Sequence, residues 1–109
     1  MNINDYQSEA KKTARYPNMG DNIFYPTLGL AGEAGEVANK VKKIQRDKNN
    51  IIDEDMKQKI VEELGDALWY LAQIATELNV SLEDVAQINL EKLQSRKERG
   101  VLGGEGDRR

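Results

Sequence analysis

The sequence contains no cysteine and no histidine, and only 2 of its 109 residues are proline. Without cysteine, neither disulfides nor thiolate metal sites can form. Without histidine, carboxylates are the remaining candidates for metal ligands and for a general base. No apolar run approaches the ~20 residues that a membrane span requires, and the N-terminus lacks the apolar region of a secretory signal. We therefore expect a cytoplasmic protein.

The composition favours one folded helical domain covering residues 1–109, with 39% hydrophobic and 32% charged residues. The net charge of −3 argues against a partner that is a nucleic-acid polymer, because such binders carry a basic excess. The cations are unevenly spread, however, and gather near the C-terminal end: Lys92, Arg96, Lys97, Arg99, Arg108 and Arg109.

Apolar residues recur with helical period, and no run alternates as a strand would. The pattern predicts helices over 4–16, 26–46 and 53–78, a fourth helix between an N-cap at Ser81 and a stop at Gly100, and a glycine-rich tail over 100–109. The third helix carries one long inward stripe: Ile60, Leu64, Ala67, Leu68, Leu71, Ile74, Ala75 and Leu78. Short connections between amphipathic helices predict an all-α antiparallel bundle of four helices.

Two pairs of acids lie beside the predicted core stripes. Glu33 and Glu36 share one edge of the second helix with Lys40, and Glu63 and Asp66 flank the stripe of the third. Antiparallel packing would gather four carboxylates at one rim, where they repel each other unless a cation is present. Mg²⁺ or Mn²⁺ suits such an oxygen-only site. The alternative is solvated surface acids, with Glu36 and Lys40 forming an ordinary ion pair.

Glycines adjoin both acid pairs, although a glycine inside a helix costs about 1 kcal/mol relative to alanine. We interpret Gly32, Gly35 and Gly65 as positions where helices approach closely or where a ligand needs room.

The predicted fourth helix brings Asn89, Lys92 and Arg96 onto one arc. Lysine and arginine there would suit a polyphosphate held by metal on its other side. The tail 100–109 could fold over such a site, although termini are commonly unstructured. Asn89 could instead fix helix register in a core.

Trp69 falls opposite the main stripe of its helix. We interpret it as part of a second buried surface that contacts another subunit, with base stacking as the alternative. Tyr25 and Tyr70 are interpreted as packing residues.

The segments "GLAGEAGEVANKVKK", "EELGDALWYLAQIA" and "NLEKLQSRKERGVLGGEGDRR" resemble the MazG-like nucleotide pyrophosphohydrolases of the all-α pyrophosphatase superfamily. The signature of that family, E-x-x-E followed by E-x-x-D, is matched by Glu33, Glu36, Glu63 and Asp66. The resemblance implies a dimeric or tetrameric homo-oligomer that hydrolyses nucleoside triphosphates to monophosphate and pyrophosphate with Mg²⁺. It also implies that Asn89, Lys92 and Arg96 contact the substrate, as does Lys40.

The hypothesis is therefore metal-assisted hydrolysis at the α-phosphorus, with the four acids holding Mg²⁺ and one of them, for example Glu36, accepting a proton from water. Three alternatives stay open. The protein could act on a phosphoribosyl-ATP-type nucleotide, could sense nucleotides without turnover, or could be an inert helical module whose Trp69 face binds a partner protein.

Overall fold

The computed structural model describes all residues, 1–109, and is entirely helical. It contains four helices: α1 (Ile3–Lys12), α2 (Phe24–Asp47), α3 (Glu54–Glu77) and α4 (Leu82–Glu98). The all-α prediction is confirmed. None of the four helices combines the length and apolarity that crossing a bilayer requires.

The starts of α3 and α4 follow directly from capping side chains. The carboxylate of Asp53 accepts a hydrogen bond from the backbone N–H of Met56 at 2.9 Å. The hydroxyl of Ser81 accepts one from the N–H of Asp84 at 3.0 Å. Both caps satisfy backbone donors that a helix start leaves free, so both helices begin within a residue of the predicted positions.

Helix α1 ends four residues earlier than predicted, and the helical assignment of 13–16 was wrong. The Thr13 hydroxyl donates to the carbonyl of Ala10 at 2.7 Å and accepts from the indole N–H of Trp69 at 2.8 Å. Tyr16 then stacks on Tyr25 with ring centroids 4.9 Å apart. These contacts with distant residues draw the chain out of the helix, and local sequence patterns cannot register them.

Asparagines in left-handed conformation occur in all three connections between helices. Positive φ angles are found at Asn18 before α2, at Asn49 and Asn50 before α3, and at Asn79 before α4. Asparagine tolerates this region better than other residues with a side chain, because its amide can bond locally.

Helix α3 is the centre of the fold and packs against each of the other three helices. Its contact with α1 and α4 forms a small core of Ala10, Ala72, Ala75 and Leu82. Trp69 and Tyr6 pack against this core. The second buried surface around Trp69 therefore lies within the chain, against α1, and the prediction of a subunit contact for Trp69 is corrected accordingly.

The single chain does not close into a four-helix bundle, because α2 contacts neither α1 nor α4. Its radius of gyration is 16.8 Å, against about 13 Å for a compact domain of this length. Parts of the predicted inward stripes are consequently exposed: Leu64 on α3 by 52% and Val85 on α4 by 46%. The stripe prediction is correct for Ala75, which is buried, but not for Leu64, Leu71 or Leu78.

Candidate metal centre

Antiparallel packing of α2 and α3 brings Glu33 opposite Glu63 and Asp66. Each of the three residues offers one carboxylate oxygen, and these oxygens all lie within 4.8 Å of one another. Glu33 and Glu63 are half-buried, whereas Asp66 is exposed. We call these three residues the acidic cluster.

The donor set of the acidic cluster fits a hard divalent cation. Mg²⁺ binds oxygen at about 2.1 Å, which separates ligands on opposite sides of the ion by about 4.2 Å. Oxygens up to 4.8 Å apart reach that spacing with small side-chain rotations. Carboxylate oxygens without nitrogen or sulfur favour Mg²⁺ or Mn²⁺ over softer metals.

The close approach of the three carboxylates affects the protonation of Glu33. The pKa of Glu33 is raised above its ordinary value, first by a hydrogen bond shared with Glu63, and then by partial burial and the charges of Asp66, Glu63 and Glu36. A bound cation would relieve this repulsion, since it offsets the negative charge that favours protonation.

Glu36 is the one member of the predicted four that lies outside the cluster. It is exposed, and its charge makes the smallest contribution to the raised pKa of Glu33. Lys40 lies closer: its ammonium is 3.7 Å from the Glu63 carboxylate. The alternative ion pair between Glu36 and Lys40 is not formed.

Two aromatic residues adjoin the acidic cluster. Trp69 and Tyr70 line a cavity of about 260 Å³ together with Glu33 and Asp66. We call it the aromatic cavity. Burial raises the pKa of Tyr70 first, and the charges of Tyr25, Glu33 and Asp66 raise it further, so the phenol stays protonated. The role of both rings as walls of this cavity was not predicted, because it depends on the pairing of α2 with α3.

Gly29 makes the close approach that was predicted for other glycines. A Cβ atom at Gly29 would lie 2.1 Å from Cε1 of Tyr70, far inside contact distance. Gly32, Gly35 and Gly65 have nothing within 4 Å of the corresponding position. The prediction that helices approach closely at these three glycines is therefore wrong within the chain. The alternative, that they leave room for a ligand, stays a prediction.

The cations of α4 do not meet the acidic cluster in the single chain. Lys92 donates to the carboxylate of Asp107 at 2.7 Å, and Arg96 donates to the same oxygen at 3.2 Å. These two partners, Lys92 first, hold the pKa of Asp107 below its usual range. Arg96 is only 5% exposed, whereas Asn89 is exposed.

The tail is folded against α4. The Arg109 guanidinium donates to the carbonyls of Val101, Leu102, Gly103 and Gly106. Arg99 in turn donates to the carbonyl of Arg109 at 2.6 Å. The predicted contact of the tail with a phosphate site is thus replaced, in the single chain, by a contact of Asp107 with two candidate phosphate ligands.

One buried polar side chain is left without a partner. Gln73 is 1% exposed, and its Nε2 atom has no hydrogen-bond acceptor. It lines a cavity of about 230 Å³ that Tyr16 and Glu77 also border. The Glu77 carboxylate does not serve as the acceptor for Gln73, because it already accepts hydrogen bonds from the Tyr16 hydroxyl and from the backbone N–H groups of Gly20 and Asn22.

Four helices with convergent carboxylates between two of them define an all-α protein with a candidate divalent-metal site. Residues 26–101 match the model of the MazG nucleotide pyrophosphohydrolase domain. The chain therefore belongs to the MazG nucleotide pyrophosphohydrolase family.

Two relatives extend this comparison. The Gene 37 protein of Mycobacterium phage L5 is 52% identical over 114 residues, covering 100% of both chains. The uncharacterized protein YvdC of Bacillus subtilis (strain 168) is 39% identical over 74 residues, covering 63% of this chain and 70% of its own. No solved structure matches the chain.

Proposed function

We propose that the protein is a Mg²⁺-dependent nucleoside triphosphate pyrophosphohydrolase, which cleaves (d)NTP to (d)NMP and pyrophosphate in the cytoplasm. The observation that carries the proposal is the convergence of three carboxylate oxygens within 4.8 Å in a chain of the MazG family. Mn²⁺ is expected to replace Mg²⁺, because both prefer oxygen ligands.

Glu33, Glu63 and Asp66 are the proposed metal ligands, and Glu36 is the fourth. When bound, the cation offsets the charge of the phosphate oxygens and lowers the pKa of the attacking water. The half-buried positions of Glu33 and Glu63 strengthen their attraction for a cation, since charges interact more strongly away from bulk water.

Glu36 is also the proposed general base. Its carboxylate lies outside the group of three that converge, so it is the ligand of the four least engaged with the cation, and its second oxygen can accept a proton. The water oxygen forms a bond to the α-phosphorus, and the bond from that phosphorus to the oxygen bridging to the β-phosphate breaks. Pyrophosphate leaves with the bonding electron pair.

The proposed substrate contacts are Lys40 in the same chain and Asn89, Lys92 and Arg96 from a second copy. Helix α4 contacts only α1 and α3 of its own chain, so a partner is the direct source of α4 side chains near α2. Apolar side chains left exposed on α3 and α4 offer a surface for that partner: Leu64, Leu71, Ile88 and Leu90. We therefore propose a dimer or tetramer of the 12.3-kDa chain, which light scattering would measure directly.

The proposal is tested by pyrophosphate release from a panel of nucleotides, with and without Mg²⁺, including a phosphoribosyl-ATP-type nucleotide. Glu63→Gln and Asp66→Asn are expected to abolish turnover while the circular dichroism spectrum stays helical. Glu62→Gln is the matched control, because Glu62 is exposed and outside the cluster. Near-normal activity of either cluster variant would overturn the proposal. Saturable nucleotide binding without release would indicate a sensor, and no binding an interaction module.

A further inference from the structure

Residues 100–109 form a closed loop that Arg109 holds together. Gly104 and Gly106 have φ angles of 99° and 85°, a region that glycine enters without steric cost, and there the chain turns back on itself. The Arg109 guanidinium then donates to four carbonyls of the same segment, those of Val101, Leu102, Gly103 and Gly106. We call this segment the tail loop. It has a defined shape that brings a chosen side chain to α4.

That side chain is Asp107, and it contacts two cations at once. One oxygen of its carboxylate accepts from the Lys92 ammonium at 2.7 Å and from the Arg96 guanidinium at 3.2 Å. Arg96 also donates to the main-chain carbonyl of Asp107. Like charges four residues apart on a helix repel each other. The shared carboxylate offsets this repulsion, so the three side chains form one unit.

The two cations differ in their access to a further ligand. The Arg96 side chain is only 6% exposed, and a buried guanidinium is costly unless its partners are kept. Arg96 is therefore committed to the tail loop. The Lys92 side chain is 35% exposed. An ammonium has three N–H donors, so two remain when Asp107 accepts one.

Holding a lysine in place before a ligand arrives favours binding. A free lysine side chain occupies many rotamers, and fixing it during binding reduces the affinity. Asp107 fixes Lys92 in advance, and it is itself fixed by the bonds from Arg96 and by the closed tail loop.

We propose that Asp107 is a positioning residue for substrate binding, which holds the Lys92 ammonium so that its two remaining N–H donors meet the phosphates of the substrate. The proposal rests on the proposed function and divides the roles of the α4 cations. Lys92 contacts the phosphates, whereas Arg96 acts through Asp107. Arg109 acts one step further away, because it closes the loop that carries Asp107.

Simple charge predicts the opposite effect of removing this carboxylate. An acid beside a phosphate site repels the phosphates, so its neutralisation would strengthen their binding if charge alone mattered. Weaker binding after Asp107→Asn would therefore report the loss of a positioned lysine. The sign of the change thus separates positioning from competition between Asp107 and the substrate.

The test uses two matched pairs of variants in the full chain with Mg²⁺. Asp107→Asn is compared with Glu105→Gln, which also removes one negative charge from an exposed position of the tail loop but leaves the contacts of Lys92 in place. Arg109→Met is compared with Arg108→Met, because only Arg109 closes the loop. Calorimetry measures the binding of inorganic tripolyphosphate, which requires no turnover. Circular dichroism checks that the helices are retained.

Asp107→Asn is expected to weaken tripolyphosphate binding about 5-fold, the effect of having to order one long side chain during binding. Glu105→Gln should leave binding unchanged, and Asp107→Glu, which keeps the charge, should restore most of the affinity. Arg109→Met should weaken binding more than Arg108→Met. In a Lys92→Met background, Asp107→Asn should have no further effect, because its role passes through Lys92.

Unchanged or tighter binding by Asp107→Asn would overturn the proposal and would indicate that Asp107 competes with the phosphates. The same weakening in the Lys92→Met background would also overturn it, since the effect would then be a general structural one. If Asp107→Asn does not fold, the Arg109 and Arg108 pair decides in its place. If nucleotides are hydrolysed but Asp107→Asn binds tripolyphosphate as wild type does, only this inference fails. If binding depends on Asp107 as expected while no nucleotide is hydrolysed, only the proposed function fails.

Discussion

The contact between Gly29 and Tyr70 gives the sharpest test of how α2 and α3 pack beside the acidic cluster. The perturbation is Gly29→Ala, which places a methyl group 2.1 Å from Cε1 of Tyr70. Carbon atoms in contact are about 3.5 Å apart, so the ring must move by about 1.4 Å. The variant therefore disturbs a wall of the aromatic cavity as well as the helix pair.

The magnitude follows from two opposing effects. Alanine stabilises a helix interior by about 1 kcal/mol relative to glycine. Overpacking a well-filled contact costs about 1–3 kcal/mol, and overlap with three ring atoms indicates the upper end of that range. We expect Gly29→Ala to lower the free energy of unfolding by about 2 kcal/mol.

The assay is urea unfolding followed by far-UV circular dichroism at one fixed protein concentration, since association contributes to stability. In a Tyr70→Ala background the obstruction is absent, and Gly29→Ala should then stabilise by about 1 kcal/mol. Gly35→Ala, with nothing within 4 Å, is the control for helix propensity alone. A Gly29→Ala protein as stable as wild type, with Tyr70 present, would refute this packing.

Two further predictions concern single side chains. The raised pKa of Glu33 means that its proton stabilises the fold at low pH, and that this stabilisation is lost as the pH rises through the raised value. At pH 7 without metal, Glu33→Gln should therefore unfold at a higher temperature than wild type, and below about pH 4 this gain should disappear. The variant should also lose the stabilisation that Mg²⁺ gives to wild type. An equal gain in unfolding temperature at both pH values would contradict the repulsion between the carboxylates. Gln73→Met replaces the unpartnered buried amide with a side chain of similar shape. Denaturant titration should show a free energy of unfolding that is higher by about 1 kcal/mol. A less stable variant would show that the amide has a hydrogen-bond partner in solution.

Much of the fold was predictable because its determinants are local. Ser81 and Asp53 act as caps where the sequence places polar residues before apolar periodicity, so the starts of α3 and α4 were predicted closely. The end of α1 was not predictable in this way. It depends on Thr13, Tyr16 and their partners Trp69 and Glu77, which are more than 50 residues away in sequence.

The acidic cluster was largely predictable because two i,i+3 pairs beside apolar stripes must face each other once the helices pair. Three of the four predicted acids converge. Glu36 lies one turn along α2 from Glu33 and is exposed. Whether it joins the others depends on how α2 is rotated against α3, which the spacing of residues along one helix does not specify. The cavity between the end of α2 and the start of α3 was not predicted for a related reason. Two of its lining residues, Lys43 and Lys59, are ordinary surface lysines in sequence, and only the pairing of α2 with α3 brings them around one space.

The left-handed asparagines of the three connections have a consequence for how this protein can change. In many enzymes, variable loops carry substrate selectivity while the scaffold stays constant. Here Asn18, Asn49, Asn50 and Asn79 hold the connections in fixed turns, while the open surface beside the carboxylates belongs to helical glycines such as Gly32. Adaptation to a nucleotide of different size would therefore proceed by adding or removing bulk on rigid helices, with the turns left untouched.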